Sequence, residues 1–388
     1  MKGVWRYMKP FALFTLWLGI VTMIGFVQQK TATKPWTIVK TCQPTTHVMF
    51  LKTHKTASST ILNILFRFSE KHNLTVALPR HNDVHLGYPY SFRASYVEEF
   101  KTIGPNFSIM CNHLRFKALE VKRVMPRDTF YFSILRHPAS LLESSYVYYK
   151  SVTPAFRKSK NVNEFLSSPW NYYNLSERRW NIYAKNNMWF DFGYDNNAVY
   201  EEHYVQSVIQ DVEQNFNLIL IADYFDESMI LLKDILCWDL DDVVYFKMNA
   251  RSLDTVQTMN PESKEKVKEW CALDWMLYVH FNNTFWNKIQ ERMDLKTLYK
   301  EVEFLRKRQK ELMETCLLKE TDGTKIKDKH MKPFQSGSVK IMGYMLKEGL
   351  DNETLNTCDK MAIPELQYTA YMYSWQFPNK KKKSIPIR

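Results

Sequence analysis

The sequence predicts an α/β fold in which a largely parallel central sheet is flanked by helices. Four short apolar segments are predicted to be strands, at residues 46–51, 107–111, 129–135 and 218–222. Segments with apolar residues at helical spacing alternate with them. This alternation is typical of parallel sheets, in which ligands bind beyond the carboxyl ends of the strands. The sequence shows no internal repeat that would split the chain into several units.

The first predicted strand runs through a tight loop directly into a helix. Residues 50–60 read FLKTHKTASST, and apolar residues then recur at helical spacing. Backbone N–H groups at a helix N-terminus favour an anion, and Lys55 adds a positive charge beside them. The residues expected to present these donors are Thr56, Ala57, Ser58, Ser59 and Thr60. The loop is therefore predicted to bind a phosphate-like group, and the alternative is a turn that only caps a surface helix.

The absence of glycine from this loop argues against one class of phosphate-binding protein. The nucleotide-binding pattern GxxxxGK[ST] needs glycines so that the backbone can wrap around a triphosphate. Residues 50–60 contain none. A P-loop nucleotide kinase is therefore disfavoured.

A second anion-binding element is predicted where the strand at 129–135 ends. Arg136 follows this strand immediately, and Pro138 suits the first turn of a helix that continues to Tyr149. Ser144 lies two turns into that helix. An isolated arginine here is more often a solvated surface residue. Together with Lys55, however, Arg136 and Ser144 indicate a ligand that carries two separate phosphate-type groups.

These two elements resemble the donor site of sulfotransferases that use 3′-phosphoadenosine 5′-phosphosulfate (PAPS). The run KTASST resembles their 5′-phosphosulfate loop, and Arg136 with Ser144 resembles their 3′-phosphate motif. Four further stretches, MCNHLRF, FYFSILRHP, NNMWFDFGYDN and DESMILLKD, make the chain similar to the galactose 3-O-sulfotransferase family from about Thr46 to beyond Tyr368. The stretches YAKNNMWFDFGYD, CALDW and PELQY are most similar to the glycoprotein-acting members.

The resemblance implies a P-loop-like sulfotransferase fold and a specific reaction. The expected activity is transfer of a sulfuryl group from PAPS to the 3-hydroxyl of a non-reducing terminal β-galactose on glycoprotein glycans, without a metal ion. One alternative keeps the chemistry but uses a glycolipid acceptor, galactosylceramide. Another alternative is a lumenal glycan-binding module that retains the fold without turnover.

Sulfuryl transfer requires charge neutralisation on the donor and a base for the sugar hydroxyl. Lys55 is predicted to neutralise the charge that grows on the oxygen between phosphorus and sulfur. Lys52, at the strand end, is the rival lysine. His113 is predicted to be the base, because it follows the strand at 107–111 and imidazole titrates near neutral pH. The alternative bases are His54, His81, His85 and His137, and His54 is favoured among them because it lies in the donor loop.

Galactose recognition is expected to use aromatic faces and polar side chains. Trp189, Tyr194 and Asp195 offer both, since rings stack on the C–H faces of sugars and carboxylates bind hydroxyl groups. Ordinary core packing is the competing interpretation, and it is favoured for Phe190 and Phe192. Glu143 is a further residue that could reach the site.

The N-terminal region predicts a membrane anchor, which would be a single transmembrane helix. Residues 11–27 form a stretch of 17 residues without charge, preceded by Lys2, Arg6 and Lys9. A basic end followed by a short apolar span fits an uncleaved signal anchor with its N-terminus in the cytosol. The predicted organisation is a cytoplasmic tip (1–10), the anchor (11–27), a stem (28–41), a lumenal catalytic domain (42–376) and a basic tail (377–388). A single-pass type II protein of the Golgi membrane is therefore expected.

A lumenal location makes several other features interpretable. Acceptor sequons for N-glycosylation begin at Asn73, Asn106, Asn174, Asn282 and Asn352, and Asn106 is the least favoured because a predicted buried strand follows it. Six cysteines can form disulfides in an oxidising lumen, and no CxxC pair suggests zinc. The formal charge of +12 implies an anionic partner, which in the lumen is the sulfate donor or an acidic glycan and not nucleic acid.

Overall fold

A parallel sheet of four strands forms the centre of the fold. The computed structural model describes residues 42–177, 179–337 and 339–380. In the order β2-β1-β3-β4, the sheet consists of β1 (Val48–Leu51), β2 (Ile109–Met110), β3 (Phe130–Leu135) and β4 (Leu218–Ile221). The predicted central sheet is thus confirmed, with strands that begin and end within a few residues of the expected positions.

The register of the strands brings their carboxyl ends to one edge of the sheet. Leu51 of β1 pairs with Ser133 of β3, and Leu135 of β3 pairs with Ile221 of β4. Every residue of β1, β2 and β4 is buried, as expected for parallel strands that are covered on both faces. The loops that follow β1, β2 and β3 therefore meet above a rigid apolar core.

Helices cover the sheet and extend the chain around it. In the described ranges, the helices of ten residues or more are α1 (Ser58–Lys71), α2 (Pro138–Tyr149), α3 (Glu202–Asn215), α4 (Phe225–Leu236), α5 (Pro261–Trp270), α6 (Ala272–Arg292), α7 (Leu295–Cys316), α8 (Asn352–Ala362) and α9 (Glu365–Gln376). Shorter helices lie at Phe100–Ile103, Ala118–Val121, Pro154–Arg157, Val162–Ser167, Asn187–Asp191 and Leu240–Val243. Helices α4 and α6 pack on β4, while α8 and α9 pack on α1.

The long helical segment beyond Phe285 packs into the core. It is interrupted between α6 and α7, because Asp294 caps α7 by accepting a hydrogen bond from the Thr297 backbone N–H at 2.9 Å. The apolar positions that are fully buried in this segment are Ile289, Leu298, Val302 and Leu305.

The C-terminal part of the chain is fastened to α1. A disulfide joins Cys316 to Cys358, and strand β5 (Leu317–Asp322) pairs antiparallel with β6 (Met342–Leu346). The Asn63 side chain on α1 donates to the Lys360 carbonyl at 2.9 Å, and the Tyr368 hydroxyl donates to Glu70 at 2.6 Å. Helices α8 and α9 therefore form a fixed wall beside the start of α1.

Two cysteines are buried as free thiols, Cys111 and Cys271. Burial raises the pKa of the Cys271 thiol to about 12, and it also raises the pKa of Cys111. Cys111 directly follows β2 and is completely buried.

The predicted sequons differ in their accessibility. The asparagines of four of them are exposed: Asn73, Asn106, Asn174 and Asn352. Asn282 lies inside α6, is only half-exposed, and has a buried side-chain oxygen that lacks a hydrogen-bond partner within the described residues. Glycosylation remains a prediction at all five sites, and Asn282, not Asn106, is the least accessible.

The described residues do not include the predicted tip, anchor and stem, or residues 381–388 of the predicted tail. Within the described part of the chain, none of the helices combines the length and the apolar character that crossing a bilayer requires. Lys380, the first lysine of the basic run, pairs with Glu98 at 2.9 Å, so this residue is not a purely solvated tail residue.

Candidate active site

The loop after β1 has the backbone geometry of an anion-binding turn. Lys55 and Ala57 have positive φ angles of 59° and 62°, which L-residues adopt at a cost of about 1–3 kcal/mol and which recur at functional sites. Ala57 is the N-cap of α1 and supplies no side-chain hydrogen bond to the first turn. The Thr60 N–H donates to the Ala57 carbonyl at 3.0 Å, so at the first turn of α1 the N–H groups of Ser58 and Ser59 can donate to an anionic ligand.

The two predicted anion-binding elements meet at this loop. The Arg136 guanidinium donates from Nη1 to the Lys55 carbonyl oxygen at 3.0 Å. Ser144 lies on α2 and is buried. The pairing that the sequence predicts between the loop after β1 and the end of β3 is therefore present.

Lys55 lies in a strongly positive environment. Its ammonium group is 3.5 Å from the centre of the Tyr148 ring, which is a cation–π contact. Burial lowers the pKa of Lys55 well below the usual lysine value, and the positive charges of Arg251 and Arg136 lower it further. An anion bound here would relieve the repulsion among these three cations.

Arg251 is a functional candidate that the sequence analysis missed. Its guanidinium forms a buried ion pair with Glu143 on α2, and Glu143 also accepts from the Gln257 backbone N–H at 2.8 Å. Glu143 therefore acts as the partner of Arg251. Arg251 lies in an irregular segment and follows no strand, so its sequence position carried no signal for the site.

His113 is held as a neutral imidazole with a lone pair on Nε2. Its Nδ1 lies 2.9 Å from the Lys52 carbonyl oxygen, which can only accept, so Nδ1 carries the proton. Its Nε2 lies 2.8 Å from the Lys52 ammonium, which can only donate. Burial lowers the pKa of His113 well below the usual histidine value, and the neighbouring His54 and Lys52 contribute in the same direction.

Lys52 and Lys55 thus occupy different places. Lys52, the rival lysine, is only 2% exposed and contacts the predicted base His113, whereas Lys55 faces Tyr148. The structure places both lysines at the carboxyl edge of β1. The assignment of Lys55 as the catalytic lysine remains a prediction.

His54 is oriented by a buried carboxylate that the sequence analysis did not single out. His54 Nδ1 lies 3.0 Å from Asp191 Oδ2, and its backbone N–H donates to the same oxygen at 2.8 Å. The Tyr88 hydroxyl donates to Asp191 at 2.9 Å. The His54 ring stacks on the His113 ring with centroids 3.9 Å apart, so the two histidines form one cluster.

The other alternative bases divide into two groups. The His85 ring lies 5.6 Å from the His113 ring, and burial lowers its pKa to about 4. His137 instead contacts Trp275 and Tyr278, and His81 is exposed. His54 and His85 therefore remain near the predicted base, while His137 and His81 make their contacts elsewhere.

Three tyrosine rings surround this histidine cluster. Tyr149 and Tyr183 stack with ring centroids 3.7 Å apart. The centroid of Tyr183 lies 5.2 Å from that of His54, and Tyr88 lies 4.5 Å from it. We refer to Tyr88, Tyr149 and Tyr183 as the tyrosine wall.

The predicted galactose-binding residues lie in other surroundings. Trp189 is completely buried against Tyr194 and Tyr204, so it cannot stack on a sugar, and its assignment to the substrate site is corrected to core packing. The Tyr194 hydroxyl is bound to Asp211. Asp195 is exposed and accepts from the Asn197 backbone N–H at 3.0 Å. The burial of Phe190 and Phe192 confirms that they are core residues.

Comparison with known proteins supports the family that the residues resemble. The family model described as galactose-3-O-sulfotransferase matches residues 17–376. Galactose-3-O-sulfotransferase 2 of Mus musculus is 57% identical over 349 residues, which cover 89% of this chain and 89% of that protein. Galactose-3-O-sulfotransferase 2 of Homo sapiens is 50% identical over 393 residues, covering 99% and 98%. Galactosylceramide sulfotransferase of Bos taurus is 41% identical over 335 residues, covering 84% and 78%. The chain therefore belongs to the galactose-3-O-sulfotransferase family, and it is a sulfotransferase.

Proposed function

We propose that this enzyme transfers a sulfuryl group from PAPS to the 3-hydroxyl of a non-reducing terminal β-galactose on glycoprotein glycans. Membership of a sulfotransferase family implies PAPS as the donor. The observation that carries the proposal is the hydrogen bond from Arg136 to the Lys55 carbonyl, which joins the two elements that are predicted to bind anions. A donor with phosphate-type groups at two positions needs such a pair of sites.

The residues at the edge of the sheet fit an anionic donor. The N–H groups at the start of α1 and the Lys55 ammonium would hold its phosphosulfate end, and Arg136 with Ser144 would hold its 3′-phosphate. PAPS supplies the activated sulfuryl group. By analogy with phosphoryl transfer through a loose transition state, Lys55 and the N–H groups contribute mainly positioning and charge stabilisation.

His113 has the protonation state that a base requires. The Lys52 carbonyl fixes the proton on Nδ1, so the lone pair is on Nε2 and can accept the proton of a sugar hydroxyl. The Lys52 ammonium contacts this Nε2, and it must move aside before a hydroxyl can reach it. Lys52 and His113 are therefore expected to change partners when substrates bind.

The tyrosine wall offers the acceptor site that Trp189 does not. Its rings lie within stacking distance of His54, which itself stacks on His113. A galactose ring whose C–H face rests on Tyr183 or Tyr149 would bring its hydroxyl groups towards the two histidines. This assignment deepens the proposal, because it gives the acceptor a defined surface.

Replacing Tyr183 with alanine is expected to raise KM for the galactoside about 2- to 12-fold, because one stacking contact is worth about 0.5–1.5 kcal/mol. The KM for PAPS is expected to stay within twofold. Steady-state kinetics with each substrate varied in turn would measure both values. Tyr200→Ala, at an exposed position, serves as the control and should change neither. An equal rise of both KM values in Tyr183→Ala would argue against a place in the acceptor site.

The preference for glycoprotein glycans is supported by the comparison with relatives. The identity of 50–57% to the proteins named galactose-3-O-sulfotransferase 2 exceeds the 41% identity to bovine galactosylceramide sulfotransferase. We therefore place the acceptor on glycoproteins. Galactosylceramide is the alternative acceptor.

An acceptor panel tests this preference. The full-length enzyme would be assayed for transfer of labelled sulfate from PAPS to an N-acetyllactosamine-type oligosaccharide and to galactosylceramide. We expect kcat/KM to be at least tenfold higher for the oligosaccharide. A matched oligosaccharide with 3-deoxygalactose should accept no sulfate. Faster transfer to galactosylceramide would contradict the glycoprotein assignment, and sulfation of the 3-deoxy compound would contradict the site of transfer.

We also propose that the enzyme is a single-pass type II protein of the Golgi membrane with its catalytic domain in the lumen. The uncharged stretch at 11–27, its basic N-terminal flank and the sequons support this orientation. The disulfide between Cys316 and Cys358 agrees with an oxidising compartment.

A further inference from the structure

Glu365 lies in the candidate active site although it is distant in sequence from the other residues of that site. Its Oε2 accepts a hydrogen bond from the Ser59 hydroxyl at 2.6 Å. The same oxygen lies 3.2 Å from the Lys52 ammonium. Ser59 belongs to the donor loop, and Lys52 contacts the predicted base, so one carboxylate touches both halves of the site.

The contacts form a chain from a carboxylate through an ammonium to an imidazole. Lys52 Nζ lies between Glu365 Oε2 and His113 Nε2, at 3.2 Å and 2.8 Å respectively. A buried ammonium group needs a counter-charge, because an unpaired buried charge is strongly unfavourable. Burial raises the pKa of Glu365, but Lys52 and the Ser59 hydroxyl outweigh this effect, so the pKa is lowered and the carboxylate is charged at neutral pH.

The position of Glu365 is fixed by the C-terminal helices. Glu365 is the first residue of α9, and α9 is bound to α1 through the Tyr368 hydroxyl, which donates to Glu70 at 2.6 Å. Near the other end of α9, the Gln376 side chain accepts from the Val76 N–H at 2.8 Å and donates to the Val76 carbonyl at 2.9 Å. Because α9 is held in this way, the Glu365 carboxylate has a fixed position, and it can position the Lys52 ammonium.

We propose that Glu365 is a positioning residue for sulfuryl transfer, which holds the Lys52 ammonium between the donor loop and His113. The inference rests on the proposed function. In the free enzyme Glu365 also accepts the hydrogen bond of the Ser59 hydroxyl, and the anionic sulfate donor needs the same hydroxyl. When PAPS binds, it therefore replaces the Glu365 carboxylate as the partner of the Ser59 hydroxyl. Glu365 then attracts the Lys52 ammonium away from His113 Nε2. This nitrogen is left free to accept the proton of the sugar hydroxyl.

Exchange of Glu365 for glutamine tests this role, since glutamine keeps the shape of the side chain but removes its charge. We expect kcat to fall about 10–100-fold. Binding of 3′-phosphoadenosine 5′-phosphate should be unchanged or tighter, because a negative charge next to the anion site has been removed. Glu365→Asp keeps the charge, and it should retain at least ten times the kcat of Glu365→Gln.

The control is Glu353→Gln, which removes a carboxylate from the first turn of the neighbouring helix α8, at an exposed position. It should leave kcat and ligand binding unchanged. Calorimetry with 3′-phosphoadenosine 5′-phosphate and thermal unfolding of each variant would accompany the kinetics. A lower Tm is expected in Glu365→Gln, because the buried Lys52 ammonium loses its counter-charge. Weaker ligand binding would indicate a purely structural role, and this result would overturn the proposal.

Two further results would also refute it: a kcat within twofold of wild type in Glu365→Gln, or equal losses in the aspartate and glutamine variants. The kinetics would use whichever galactoside the wild-type enzyme sulfates best. A preference for galactosylceramide would therefore refute the glycoprotein assignment and leave the comparison of Glu365 variants intact.

Discussion

Replacement of His113 by alanine is expected to lower kcat by about 10²–10⁴-fold, the usual contribution of a general base. The imidazole is neutral, its Nδ1 proton is fixed by the Lys52 carbonyl, and its Nε2 is the acceptor. Removing it takes away the group that receives the hydroxyl proton but leaves the donor loop in place. Affinity for 3′-phosphoadenosine 5′-phosphate, measured by calorimetry, should therefore change less than threefold.

The pH dependence of the wild-type enzyme gives a second measurement of the same group. The pKa of His113 is lowered well below its usual value, chiefly by burial. A base with a lowered pKa stays unprotonated as the pH falls through 6.5, and it loses activity only below that lowered pKa. The profile of kcat/KM for the acceptor should therefore remain flat at mildly acidic pH.

A matched set of histidine variants separates His113 from its neighbour. His54→Ala tests the alternative base, which stacks on His113 and is bound to Asp191. His203→Ala, at an exposed position on α3, is the control and should have wild-type kinetics. If His54→Ala abolished turnover while His113→Ala kept more than a tenth of it, His54 would be the base.

The residues that lie just beyond the ends of β1 and β3 could be predicted from the sequence, because the apolar strands before them are recognisable. Arg136 comes directly after β3, Lys55 lies in the short loop that follows β1, and β1 and β3 are neighbours in the sheet. Residues at the carboxyl ends of adjacent parallel strands lie close together, so their pairing needed no knowledge of distant contacts.

The parts that could not be predicted depend on contacts across long stretches of sequence. Asp191 reaches His54 from a short helix, Glu365 reaches Lys52 from the C-terminal α9, and Arg251 pairs with Glu143 from an irregular segment. The stretches NNMWFDFGYDN and PELQY contain Asp191 and Glu365, but no hydrophobic period or spacing indicates which buried group each carboxylate contacts. Trp189 was misassigned for the related reason that composition alone does not distinguish a buried ring from one that faces a ligand.

Replacement of Lys55 by alanine is expected to lower kcat/KM for PAPS by about 10²–10³-fold, the range seen when one donor to a developing negative charge is removed. Lys55 lies on the donor loop beside Arg136. Lys52→Ala is the comparison, and it should also lower the Tm because it leaves the Glu365 carboxylate without its counter-ion. Undiminished kcat/KM in Lys55→Ala, together with loss of turnover in a folded Lys52→Ala, would assign the role to Lys52.

The lowered pKa of Lys55 allows a second test, in which the substitution keeps a positive charge at position 55. Burial and the charges of Arg251 and Arg136 favour the neutral amine, so the Lys55 ammonium loses its proton at a lower pH than an ordinary lysine. The profile of kcat/KM for PAPS, which reports the free enzyme, should therefore fall on its alkaline side at a lower pH than an ordinary lysine would give. In Lys55→Arg the guanidinium stays charged, so the alkaline fall should move to higher pH even where the maximal rate is reduced. If kcat/KM for PAPS fell at the same alkaline pH in Lys55→Arg as in the wild type, a group other than Lys55 would control kcat/KM for PAPS at high pH.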